Sequence, residues 1–218
     1  PHFLYNTLDS ITWMVEGGRN DEAVFMISQL AKLFRVSLSQ GRTVISIKDE
    51  LQHAESYMNI QKVRYKNSFS IIFDIDPEVC SCCTVKLVLQ PILENAINYG
   101  VSGMDDCGEI RVTGRLLEGS VILAVADNGI GMSEEEVRIL LTDSGRLRKR
   151  GSGVGLVNVN NRIQILFGKE YGLTVESEPD EGTTVSVRLP AVPYTEENRK
   201  ILEKGHIFNR EEMNGKER

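Results

Sequence analysis

Val121-Ile122-Leu123-Ala124-Val125-Ala126-Asp127-Asn128-Gly129-Ile130-Gly131-Met132 is the stretch on which the reading of this chain turns. Val121 to Ala126 is the longest unbroken apolar run, six residues, and its length and bounding turns suit a buried strand. A carboxylate and two glycines follow at once. Just upstream, Glu118-Gly119-Ser120 is a turn, and before it Ile110, Val112, Gly114 and Leu116 alternate with Glu109, Arg111, Thr113 and Arg115. The two strands form a hairpin. Phe69, Ile71, Phe73 and Ile75 mark a further strand, and Leu173 to Ser177 and Val185 to Leu189 two more, joined by Pro179-Asp180-Glu181-Gly182.

Between these strands the spacing turns helical. Leu89, Ile92, Leu93, Ala96 and Ile97 share one face, Ser133 with Glu136 is a capping box, and Val154 to Phe167 reads as a third helix. Residues 67–190 are therefore expected to be an α+β sandwich with helices on one face of the sheet. Residues 1–66 read as three helices: Phe3 to Val15, then a stripe of Val24, Ile27, Leu30, Leu33, Phe34 and Leu38 behind a cap at Asp21, then Ile47 to Val63 behind Ser46 and Asp49. Three helices with one stripe each need a partner chain or the rest of the molecule to bury them. Residues 191–218 are highly charged and read as a tail, with helix from Thr195 to Lys204.

The composition, 41% apolar and 26% charged over 218 residues, suits a globular chain and excludes collagen-like or disordered classes. The net charge of −6 disfavours a nucleic-acid partner. No run approaches the roughly 20 apolar residues of a membrane helix, and no signal-peptide pattern opens the chain. It begins with Pro, which suggests a fragment or processed product. Cys80, Cys82, Cys83 and Cys107 lack the spacing of a four-ligand zinc site and read as cytosolic thiols.

Three segments can carry chemistry. Asn95, on the helix after Pro91, offers a neutral amide oxygen, a hard ligand suited to Mg²⁺. Asp127 leaves a buried strand with a carboxylate that only accepts; it suits the exocyclic amino group of adenine and opposes the carbonyl of guanine. Gly129 and Gly131 let backbone approach a planar ligand. Gly151, Gly153 and Gly155 open a helix whose N–H groups can face phosphates, behind the cations Arg146, Arg148, Lys149 and Arg150. Each alone has a bland reading as turn, exposed amide or solvated face; their order along one chain is what gives them weight. Walker A and Rossmann spacings are both absent.

In that order the segments resemble a known family. Leu89-Gln90-Pro91-Ile92-Leu93-Glu94-Asn95-Ala96 resembles the N box of bacterial sensor histidine kinases, Asp127 to Met132 their first glycine box, Gly151 to Leu156 their second, and Gly182-Thr183-Thr184-Val185 their closing Gly-Thr motif. Pro1-His2-Phe3-Leu4-Tyr5-Asn6-Thr7-Leu8 is similar to the phosphoacceptor segment of the LytS/YesM-type branch. The resemblance implies a Bergerat ATP-binding fold of the GHKL superfamily behind a dimerising helical hairpin. It implies ATP and Mg²⁺ as cofactors, with Asn95 holding the metal, Asp127 reading adenine, and Thr183 assisting through a water. A mobile lid around residues 142–153 and His2 as phosphoryl acceptor follow from the same likeness, as do a homodimer and the receiver domain of a response regulator as partners. The chain would then be the cytoplasmic portion of a membrane-anchored protein.

The chain departs from the wider family in places. Phe3, not an acidic residue, follows His2, which leaves Glu94 as the candidate general base. Tyr99 stands where the branch commonly has histidine. Pro91 occupies the position of the water-activating glutamate of chaperone and gyrase relatives, which argues against a dedicated ATP hydrolase. A GHKL-type ATPase or protein-serine kinase in which His2 is incidental, and a module that merely holds nucleotide, remain as rival readings. Pro1 is read as a kink beside His2, and His53 and His206 as surface residues.

Overall fold

The computed structural model describes residues 2–38, 41–102, 104, 108–140 and 154–204, with only the backbone of His2. The cations at 146–150, Gly151, Gly153, Pro1, Cys107 and His206 lie outside the described residues. Helices α1 (His2–Glu16) and α2 (Asn20–Leu38) form an antiparallel hairpin turned at Gly17 and Gly18. A short strand β1 (Val44–Ser46) leads into α3 (Ile47–Arg64). Ser46 caps α3: its Oγ accepts from the Asp49 N–H at 3.1 Å, as the sequence pattern predicts.

The main sheet has five strands: β2 (Phe69–Ile75), β4 (Gly108–Leu117), β5 (Ser120–Asp127), β6 (Gly172–Glu178) and β7 (Gly182–Pro190). Their order is β2-β4-β5-β7-β6. All neighbours are antiparallel except β2 and β4, which pair in parallel. Between those two the chain crosses over through a 3-10 turn, strand β3 (Cys83–Val85) and helix α4 (Leu89–Asn95). β3 pairs with β1 in a separate two-stranded sheet.

Alternation places Ile110, Val112, Val121, Leu123, Val125, Val187 and Leu189 on the covered face of the main sheet. Leu89, Ile92 and Leu93 of α4, and Leu156, Val159, Ile163 and Phe167 of α6 (Val154–Phe167), pack onto them. Each fully buried side chain of this size is worth about 1.5–3 kcal/mol, so this layer is the main source of stability. Helix α5 (Glu134–Leu140) opens with the predicted capping box: Ser133 N–H donates to Glu136 Oε2 at 2.9 Å.

Three features differ from the sequence reading. First, α2 buries Ala23, Met26, Leu30, Leu33 and Val36, whereas Val24, Ile27 and Leu38 of the expected stripe are exposed. The helix has two adjacent apolar stripes, and only one faces α3. Second, His53 is not at the surface; it is fully buried, together with Glu50, on the face of α3 that meets α2 and α4. Its Nε2 lies 2.9 Å from Ser37 Oγ, whose own proton goes to the Leu33 carbonyl. His53 therefore carries its proton on Nε2, and Nδ1 has no partner. Third, residues 191–204 of the segment read as a tail are packed. The Cys83 N–H donates to Val192 O at 2.7 Å, and α7 (Glu196–Glu203) buries Leu202. Its Glu203 carboxylate accepts from Thr43 N–H at 2.8 Å, where β1 begins.

Candidate functional site

At the end of β5, Asp127 sits opposite Ile110 of β4 and Thr183 of β7. The sheet thus delivers one carboxylate to the floor of a cavity of about 370 Å³ under α4, α5 and α6. Apolar side chains line most of it, including Ile92, Val125, Ile130, Met132, Ile139 and Leu156. Asp127, Asn95 and Thr183 supply polar atoms among them. A largely apolar cleft with a few convergent polar groups is the usual form of a small-molecule site.

Asp127 is held from two sides. Its Oδ1 accepts from the Gly129 N–H at 3.0 Å, and the Thr183 N–H also bonds the carboxylate. Burial pushes the Asp127 carboxyl up, and these two N–H groups pull it back part of the way. The Thr183 hydroxyl lies 2.8 Å from Ser177 Oγ, which accepts from the Met132 N–H at 2.8 Å and donates to Gly182 O at 2.9 Å. Ser177 therefore ties the first glycine box to the closing Gly-Thr motif. Sequence reading missed it; its only signal is a polar residue on the inward face of an edge strand.

The helix that carries Asn95 does not stop there. It widens into a π turn, Ala96–Val101, a form that often marks functional sites. This turn brings Gly100 against the floor. A Cβ added to Gly100 would lie 2.5 Å from Asp127 Oδ1, and one added to Gly129 would lie 2.3 Å from the Gly100 Cα. The two glycines let two backbones and a carboxylate meet with nothing between them. Gly131 lines the cavity at φ +62°, and a Cβ there would meet Glu178 O at 1.8 Å. Gly129 and Gly131 thus serve the protein's own close packing as much as access for a ligand, and Gly100 was not singled out from the sequence at all.

Asn95 stands half-buried at the cavity wall, one helix away from Asp127, with no side-chain partner among the described residues. A free, neutral amide oxygen beside the cavity fits a Mg²⁺ ion that takes few protein ligands. Tyr99 lies at the rim of the same cavity. Gly155 is not a lining residue; it packs where α6 crosses α4, and a Cβ on it would lie 3.1 Å from Pro91 Cβ.

Glu94 is outside the cavity. Its Oε1 accepts from Gln90 Nε2 at 2.8 Å, and burial, with the Glu94 charge second, pushes the Tyr57 phenol up. The Tyr57 ring lies 5.1 Å from that of Phe3, the residue after His2. So Glu94 and the start of α1 meet at the same part of α3, while Asn95, its neighbour in sequence, serves the cavity. The side chain of His2 is outside the described part of the structure.

Residues 1–69 match the family model described as histidine kinase, and residues 84–193 match that of the histidine kinase-, DNA gyrase B- and HSP90-like ATPases. The chain is 37% identical over 190 residues to the sensor histidine kinase YesM of Bacillus subtilis, covering 87% of this chain and 31% of that protein. It is 32% identical over 196 residues to the sensor protein LytS of Bacillus anthracis, covering 87% and 32%. The chain spans about a third of the length of these curated relatives. Among solved structures, the catalytic domain of histidine kinase ThkA superposes with TM-score 0.54 at 18% identity, covering 69% of this chain and 95% of that one. The histidine kinase domain of a blue-light activated kinase from Erythrobacter litoralis gives TM-score 0.51 at 16% identity, over 94% and 91%. These likenesses show the same fold. The parallel β2–β4 crossover, the helices on one face, the carboxylate at the foot of β5 and both family matches agree: the chain belongs to the LytS/YesM-type sensor histidine kinases, a family of ATP-dependent protein-histidine kinases within the GHKL superfamily.

Proposed function

We propose that this chain binds Mg²⁺–ATP in the cavity over Asp127, phosphorylates His2, and passes the phosphoryl group to an aspartate on the receiver domain of a response regulator. The observation that carries the reading is the Asp127 carboxylate, fixed by two N–H groups on the floor of an apolar cleft and free to accept a third donor. Adenine offers that donor at its amino group; guanine has an acceptor there and is disfavoured. Thr183 bonds the carboxylate through its N–H, and its hydroxyl would assist through a water. Bound at Asn95, Mg²⁺ would neutralise charge on the phosphates. By the motif they form, Gly151, Gly153 and Gly155 would offer backbone N–H groups to the phosphates.

In the transfer, a lone pair on the neutral His2 imidazole attacks the γ-phosphorus. The bond to the bridging oxygen breaks and ADP leaves with its electrons; the ring proton passes to Glu94. The division into a helical dimerisation and phosphoacceptor region (1–66), a catalytic domain (67–190) and a charged segment (191–218) belongs to the same reading. So do a homodimer built on the α1–α2 hairpin and a place on the cytoplasmic side of a membrane-anchored protein. No helix among the described residues is long and apolar enough to cross a membrane.

Incubation with γ-labelled ATP tests this. The expected product is acid-labile and base-stable, is lost in His2→Ala, and is lost in Asp127→Asn together with nucleotide binding. An acid-stable product that survives His2→Ala would establish the serine-kinase alternative. ATP affinity unchanged in Asp127→Asn would place adenine elsewhere.

A further inference from the structure

Helix α4 has no cap of its own. Val88 stands at its N-cap position and offers no side-chain hydrogen bond, and Pro91 sits in its first turn. The orphan N–H groups are satisfied from another element. Glu50 of α3 is fully buried, and its carboxylate accepts from Leu87 N–H at 2.8 Å, Val88 N–H at 2.7 Å and Leu89 N–H at 2.8 Å. Arg162 of α6 donates to Lys86 O at 2.6 Å and sets a positive charge in the field of Glu50. Between them Leu87 is held at φ +59°, a conformation a leucine adopts only when its surroundings impose it.

The cluster joins three elements. α3 brings Glu50, α6 brings Arg162, and α4 runs from their meeting point to Asn95, six residues and about 9 Å further on. The carboxylate thus stands at one end of a two-turn helix and the metal-binding amide at the other. The family matches fall on opposite sides of this contact: Glu50 lies in the segment that matches histidine kinases, Leu87 to Leu89 in the segment that matches the ATPases. The contact therefore joins the two matched segments next to the helix that ends at Asn95.

We propose that Glu50 is a positioning residue: from α3 it fixes the start of α4 and thereby the place of Asn95 relative to the nucleotide phosphates. The inference rests on the nucleotide reading above. Asp127 stands on β5 and is held by the N–H groups of Gly129 and Thr183, neither of which lies on α4, so the adenine end responds to Glu50 less than the phosphate end does.

Calorimetric titration with ADP, with and without Mg²⁺, on wild type, Glu50→Gln and Asp127→Asn separates the cases. Glu50→Gln is expected to keep its affinity for metal-free ADP within about 3-fold. Its gain in affinity on adding Mg²⁺, and its labelling rate at saturating ATP, should each fall about 10-fold or more, as for groups that orient a metal ligand. A parallel fall of both affinities, or an unchanged Mg²⁺ effect, overturns the proposal. Should Glu50→Gln fold poorly, Leu87→Gly in the same chain removes the strained φ and restores folded protein, still without the Mg²⁺ effect. Failure of this double variant to fold shows a purely structural carboxylate and also overturns it. Wild type that binds no ADP, or Asp127→Asn that binds it as wild type does, brings down the nucleotide reading instead.

Discussion

His53 and Asp127 are both buried titratable residues, and they make opposite uses of burial. Asp127 keeps a cavity in front of it, so its carboxylate can meet a ligand. His53 is closed between α2 and α3 with one nitrogen bonded to Ser37 and the other without a partner among the described residues, so burial favours its neutral form. Burial lowers its pKa from 6.5 to about 4. Above pH 6.5 the ring is neutral in folded and unfolded chains alike and the group contributes no pH dependence. Between pH 6.5 and about 4 the unfolded chain takes up a proton that the folded chain refuses, so stability falls as pH falls. The full loss is about 3 kcal/mol, and about 2 kcal/mol of it is reached by pH 5. His53→Gln keeps a donor toward Ser37 and removes the titration. Urea unfolding at pH 7.5 and pH 5 is expected to show wild type losing about 2 kcal/mol more than His53→Gln. Equal losses would place this proton uptake elsewhere. The sequence could not show this histidine as buried, because a lone polar residue on a helix face reads as solvent-facing until the packing of α2 on α3 is known.

The π turn after α4 is the element on which the cavity floor depends. It adds room in the backbone where Gly100 meets Asp127, and any side chain there strikes the carboxylate. Gly100→Ala is expected to lower ATP affinity about 10-fold or more by moving Asp127, for a misplaced charge-assisted hydrogen bond costs about 1.5–3 kcal/mol. Circular dichroism should still show a folded chain. ATP affinity equal to wild type in calorimetry would mean that the floor gives way without cost. Gly100 lies beyond the helical stripe read from Leu89 to Ile97, and nothing local in Ala96-Ile97-Asn98-Tyr99-Gly100 announces a π turn, which packs against β5 from elsewhere in the chain. Other elements differ in how far the sequence shows them. Strand β4 was legible because a buried face leaves a two-residue alternation, β5 because six apolar residues run unbroken between turns, and their hairpin because Glu118 and Gly119 make a turn. The parallel pairing of β2 with β4 was not, since its partners are far apart in sequence and the crossover runs through β3 and α4. Asn95 and Asp127 stand out in the sequence because each interrupts an apolar pattern beside a turn or glycine box, and Thr183 only through the resemblance; all three line the cavity. Glu50 was not, because its partners are backbone N–H groups, which carry no sequence signal.

At the scale of the whole molecule, the exposed side of the hairpin is the face on which the proposed homodimer would form. Tyr5, Leu8 and Val15 of α1 and Val24, Ile27 and Leu38 of α2 are all exposed, at the three-to-four spacing of a second stripe. Their inner neighbours Ile11, Met14, Met26, Leu30 and Leu33 already occupy the core with α3, so the outer stripe is surplus to the single chain. A sequence stripe cannot tell an intramolecular face from an intermolecular one, which is why Val24, Ile27 and Leu38 were grouped with Leu30 and Leu33. Two hairpins placed stripe to stripe would form a four-helix bundle, one way to build the homodimer proposed above on the α1–α2 hairpin. Leu8→Asp with Ile27→Asp puts a carboxylate on each outer stripe while touching none of the buried residues. Burial of two unpaired charges costs several kcal/mol per copy, more than the apolar contacts they replace can offset. Wild type is expected to sediment as a dimer and the double variant as a folded monomer with unchanged ATP affinity, because the cavity over Asp127 lies within one chain. A wild-type chain that sediments as a monomer at micromolar concentration, or a double variant that stays dimeric, would show that the outer stripe is not what joins the copies.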